Sequence, residues 1–169
     1  MRPAVEFTKL TPCAEFVGED AEDDALVREL IERARSYLAG FDWCSAIVEC
    51  YLGDIAVGGV VAVLLFRIVP VRERVDEWLW VVVGDLPPAY LVLGDAPNPA
   101  SALDAYIGEM ERWIEAVKQG EPVDGLIPVD THDGSERLAP TAELADAIEI
   151  RLRFLDSKIL ADYADDLKR

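Results

Sequence analysis

Histidine is nearly absent from this chain: one residue of 169, His132, carries an imidazole. A Ser-His-Asp or Cys-His nucleophilic set would have to use that residue as its base. It stands in Thr131-His132-Asp133-Gly134, a polar stretch that reads as a solvated turn. Cysteine is scarce as well. Cys13, Cys44 and Cys50 are odd in number and lack C-x-x-C spacing, so no disulfide framework or zinc site is expected. Cys44 and Cys50 flank a hydrophobic stretch and read as buried, reduced thiols. Glycines in phosphate-cradling spacing are missing too. Gly84-Asp85 runs straight into Leu86-Pro87-Pro88, and Gly53, Gly58 and Gly59 do not fit a G-x-G-x-x-G pattern. The longest uncharged apolar stretch, Ile55 to Phe66, stops at Arg67, short of the ~18–20 residues that span a bilayer. Residues 1–6 lead into no run of signal-peptide type. The expectation is a cytoplasmic protein with no membrane segment, no cofactor and no metal centre. Asp130, His132 and Asp133 are ligand-type residues, but an acidic loop assembles such a trio by chance.

Positive charge is also in short supply. Sixteen basic side chains face 33 acidic ones, a formal charge of −17. Such an excess repels phosphate backbones and anionic lipid surfaces, which excludes nucleic acid and membranes as expected partners. Basic proteins remain. With so many acids, a carboxylate pair says little. Glu49 is the exception, because it lies among Ile47, Val48, Cys50 and Tyr51 and needs a partner if partly buried. Arg67, on the neighbouring apolar segment, is the candidate, in a structural ion pair.

What the chain does have is apolar material, 51% of its residues, enough for a single globular domain over 1–169. Residues 1–19 read as an arm with room for one short strand. Asp20 caps a first helix over 21–39, with Glu22, Asp23 and Asp24 in its first turn and Gly40 beyond its last. Cys44–Leu52 fits a strand better than a helix, since Gly53-Asp54 and Gly58-Gly59 punctuate the chain after it. Val60 to Phe66 and Trp78 to Gly84 are apolar on both faces, as central strands are. Trp78, Trp80 and Val82 point one way; Leu79, Val81 and Val83 point the other. A charged connection over 71–77 separates the two. A Gly-Asp-Leu-Pro-Pro turn leads to a last strand over 89–93. Asn98-Pro99 opens a helix closed by Gly120, and Pro140 opens a long one over 141–166. The fold class is α+β: roughly four strands, mainly antiparallel, packed with three helices on both faces or with one face covered by a second copy.

The turn Gly84–Tyr90 is the candidate site. Two successive prolines stiffen it, and either X-Pro bond is a candidate for the cis form. In one reading it is a rigid corner, with Asp85 capping its own turn and Tyr90 packed on the sheet. In the other, Asp85, Pro88 and Tyr90 are contact groups with Trp80 behind them. No catalytic residue is assigned.

The run Asp76–Tyr90, together with Asn98-Pro99, Ala102–Ile107 and Leu126–Val129, resembles an uncharacterised family of small acidic bacterial proteins. The likeness covers roughly residues 43–163 and implies a bacterial, cytoplasmic α+β protein, with no functional residues attached. In composition alone the chain is also similar to immunity proteins of toxin systems. The leading functional expectation is a non-enzymatic module that binds a basic protein, for instance an immunity-like inhibitor of a basic toxin. The alternatives are an enzyme or small-ligand binder with a pocket near Gly84–Tyr90, and a homodimeric structural protein joined through its sheet or final helix.

Overall fold

A computed structural model describes residues 2–72, 75–94 and 96–168. Glu73 and Arg74, within the charged connection expected over 71–77, lie outside the described residues. The elements are β1 (Leu10–Pro12), α1 (Ala21–Ala39), β2 (Cys44–Val57), β3 (Val61–Pro70), β4 (Trp78–Gly84), β5 (Leu86–Val92), α2 (Pro99–Lys118) and α3 (Ala142–Phe154). The sheet is an antiparallel meander in the order β1-β2-β3-β4-β5. It has five strands where four were expected, because the arm supplies a three-residue edge strand.

Burial explains the centre. Along β3 and β4 the side chains alternate between two separate cores. Val61, Val63, Leu65, Trp80 and Val82 face α2, while Ala62, Leu64, Phe66, Leu79, Val81 and Val83 face α1. All of them are at most 2% exposed, so a strand greasy on both sides is covered on both sides. Each large apolar side chain buried this fully contributes roughly 1.5–3 kcal/mol. Trp78 is only half-buried, edge-on to Phe7 at the rim.

The helix ends follow local chemistry. The Asp20 carboxylate accepts from the Asp23 N–H at 2.8 Å and starts α1 where the sequence predicts. Asn98 and Ser101 form a reciprocal capping box at α2, and Pro99 takes the first helical position. The buried Asn98 side chain also donates to the Asp166 carbonyl at 3.0 Å, which ties the C-terminal turns to α2. Gly53 is needed where α2 begins: a Cβ there would collide with the Val63 carbonyl and the Pro99 ring.

Four expectations are corrected. The turn between β4 and β5 is tighter than the Gly-Asp-Leu-Pro-Pro motif suggests. Gly84 already pairs with Leu86, so Asp85 alone forms the bend and Pro87-Pro88 lie inside β5. An edge strand tolerates prolines because one row of its N–H groups has no strand to meet. Gly84, at φ +153°, leaves no room for a Cβ against Val60, and the Asp85 N–H donates to the Val60 carbonyl at 2.9 Å. Both X-Pro bonds here are trans. The final helix does not run to 166. After Phe154 it widens into a π turn over Leu155–Ile159 and then into short 3₁₀ turns. Leu155 and Leu160, five residues apart, are both buried. Regular α spacing would separate them by about 140°, and the wider turn brings them to one side. Lastly, Cys50 is not a free thiol. Pro12 pairs with Tyr51, so the next position sets Cys13 opposite Cys50, and the two form a disulfide with Cα atoms 5.7 Å apart. Cys44 is buried and unbridged, as expected.

The Glu49 reading holds. Glu49 and Arg67 are cross-strand partners, with Arg67 Nη1 3.0 Å from Glu49 Oε2; Arg67 also pairs with Glu77. The Tyr51 hydroxyl donates to Glu49 at 2.6 Å. That bond first, then Arg67, holds the Glu49 carboxyl below its ordinary pKa.

Candidate functional sites

The four residues of the Gly84–Tyr90 proposal do not converge on one spot. Trp80 is fully buried in the α2-side core, and its indole N–H donates to the Ala96 carbonyl at 3.0 Å. Pro88 is buried within β5. Tyr90 is half-buried on the opposite face, edge-on to Phe41 at 5.2 Å and Trp43 at 4.9 Å. Only Asp85 is exposed, and Arg151 of α3 reaches it at 3.2 Å.

Asp85 and Tyr90 instead border different hollows. Asp85, Leu86 and Pro87 line a cleft of about 330 Å³ against the 130–138 loop and α3. Its walls are apolar (Leu138, Leu144 and Ile148), and its rim carries Asp85, Arg151 and His132. That loop is held by its own side chains. Arg137 pairs with the buried Asp130 at 2.7 Å, and Asp133 accepts from Thr131 and Ser135. Those three bonds pull the Asp133 pKa down to about 2. Asp130, His132 and Asp133 therefore do not form a metal cluster, and none exists among the described residues. Beyond Tyr90, a second hollow lies between β5 and the Gly125–Pro128 segment. Here the β5 edge is closed by a tyrosine: the Tyr106 hydroxyl donates to the Pro87 carbonyl at 2.6 Å.

A third hollow was not anticipated. The segment after β1, the start of α1 and the end of β2 enclose a groove of about 680 Å³. Glu15, Glu19, Asp23 and Asp54 supply its charged lining, and among the described residues no basic side chain lines it. Arg28, near by, is committed to Asp24 at 2.7 Å and stacks over Phe16. Apolar surface is open in the same place: Val17 is 81% exposed and Val57 40%. Partial burial, reinforced by the negative charge of Asp166, raises the Asp54 pKa against the pull of Lys9. The groove exists because the Cys13–Cys50 bond and β1 fold the arm back onto β2. An arm over 1–19 with one short strand gives no local sign of it beyond the carboxylates on either side of Val17.

No family model, no curated protein and no solved structure matches the chain. No helix among the described residues is long and apolar enough to cross a membrane.

Proposed function

We propose that this protein is a non-enzymatic binding module for a basic, partly apolar segment of another protein, seated in the groove between residues 11–23 and β2. An immunity-like inhibitor of a basic toxin is one specific form of that reading. The observation that carries it is the groove's lining: four carboxylates, no cation among the described residues, and two valines open to solvent. Exposed apolar surface ringed by one sign of charge suits a partner of the opposite sign with apolar anchors between its charges. The charge of −17 speeds encounter with such a partner.

Calorimetry with a synthetic amphipathic Lys/Leu peptide tests the proposal. Binding is expected to weaken about tenfold or more between low and high salt, and Val17→Lys should abolish it. Glu111→Gln with Glu115→Gln on α2, equally acidic but remote, should leave it intact. Equal losses from both variants would show that the peptide senses net charge alone and would overturn the assignment.

The Asp85 cleft favours a second reading, a small amphipathic ligand bound against Leu138, Leu144 and Ile148 with its polar end at Arg151 and His132. Ligand-induced stabilisation that is lost in Ile148→Trp, but kept in Val17→Lys, would select this reading over the first.

A further inference from the structure

The outward side of α3 carries a stripe that none of these hollows explains. Ile150 is 66% exposed and Phe154, one turn on, 46%. Glu143 and the half-buried Ala147, which also borders the Asp85 cleft, continue the row toward the N-terminus at helical spacing. The opposite side already fills the core with Ala145, Ile148 and Leu152, so Ile150 and Phe154 are apolar surface beyond what packing within a monomer requires. The flanking charges are sorted by sign. Glu143, Asp146 and Glu149 occupy the first half; Arg151, Arg153 and Lys158 occupy the second, with Asp156 the one acid among them.

We propose that α3 packs antiparallel against α3 of a second copy, giving a two-fold homodimer. In heptad terms Ala147 and Phe154 take position a, Ile150 takes d, and Asp146 and Arg153 take g. Antiparallel pairing seats Ile150 between the partner's Ala147 and Phe154, large beside small. It also sets g against g, so Asp146 meets the partner's Arg153 on both sides of the axis. In a parallel pair, where g meets e of the next heptad, Asp146 would reach only the partner's Arg151, which Asp85 already holds, so the sign pattern favours the antiparallel orientation. It also selects a second copy as occupant, because this stripe is complementary to its own reverse. Arg151, on the other flank, stays held by Asp85, and Glu149 by Lys118 at 2.9 Å. Arg153 bonds Glu149 through Nη2 alone, which leaves guanidinium donors for the partner. The dimer leaves the acidic groove to its own ligand, so the two proposals stand or fall separately.

Sedimentation velocity of the full chain, over about 1–500 μM at physiological salt, tests this directly. The wild type should show a reversible monomer–dimer equilibrium. Ile150→Asp should weaken it at least about tenfold and Asp146→Arg alone about fivefold. Asp146→Arg combined with Arg153→Asp should restore it to within about twofold. These positions are exposed, so unchanged circular dichroism confirms that each variant is folded. A wild type that stays monomeric throughout overturns the proposal. So does a dimer indifferent to Ile150→Asp, or a double swap no better than the single one.

Discussion

The two faces of the sheet draw on alternate residues of the same two strands, yet they are covered in different ways. The face toward α1 has one helix, closed at one end by the aromatic corner of Tyr37, Phe41, Trp43 and Tyr90 and at the other by the Cys13–Cys50 bond. The face toward α2 has α2, then α3 and the C-terminal turns behind it. Each arrangement leaves a different surplus. Where one helix and a folded-back arm meet the sheet, the remaining gap is lined by carboxylates. Where two helices are stacked, the outer one turns a spare apolar stripe to solvent, with both signs of charge along it. The same strand pattern thus leaves two unlike surfaces, one lined by carboxylates and one with exposed apolar residues flanked by both signs of charge.

Core truncation should strain the comparison most. Trp80→Ala on the α2 side and Phe66→Ala on the α1 side should each cost about 3–5 kcal/mol in denaturant unfolding. A gap much above 2 kcal/mol between them would show that one face dominates stability. Trp78→Ala, at the half-buried rim, should cost roughly half as much as Trp80→Ala.

Removing the disulfide comes next. Cys13→Ser with Cys50→Ser should lower stability by about 2–4 kcal/mol, since the bond closes a loop 37 residues long. Amide exchange should quicken at β1 and early α1 while α2 stays protected. Uniform quickening would mean that the bond serves the whole fold rather than the α1 side.

Tyr106→Phe removes the hydroxyl that satisfies the Pro87 carbonyl at the closed β5 edge, at an expected cost of about 1–2 kcal/mol.

The smallest effect concerns pH. The Asp133 pKa is depressed from 3.8 to about 2, so its hold on the 131–135 turn is complete above the ordinary value. That hold is lost as pH falls through the depressed one. Side-chain NMR should place the midpoint near about 2. In Asp133→Asn the Thr131 and Ser135 shifts should stop titrating with it.

Elements whose signals were local could be read from the sequence. Asp20 and Asn98 mark both helix starts, and the residues alternating along Val60–Phe66 and Trp78–Gly84 divide between the two cores as their parity dictates. Glu49 with Arg67 followed from one acid in an apolar strand needing a cation beside it. What failed depended on long-range pairing. Nothing near Cys13 announces Cys50, because their meeting rests on the β1–β2 register. The prolines looked like a turn because their tolerance in β5 depends on its being an edge. The acidic groove is assembled from segments some 35 residues apart, which no local pattern joins. For the candidate site, residue types were legible but neighbours were not: Asp85 found Arg151, and Tyr90 found Trp43.

Amide chemical-shift mapping of the full chain, titrated with the Lys/Leu peptide, bears most directly on the central claim that the carboxylate groove is the binding surface. Perturbations should cluster at residues 11–23 and 52–57, saturate together, and disappear in Val17→Lys. Shifts centred on the Asp85 cleft, or scattered over α2 and α3 in proportion to local charge, would contradict it.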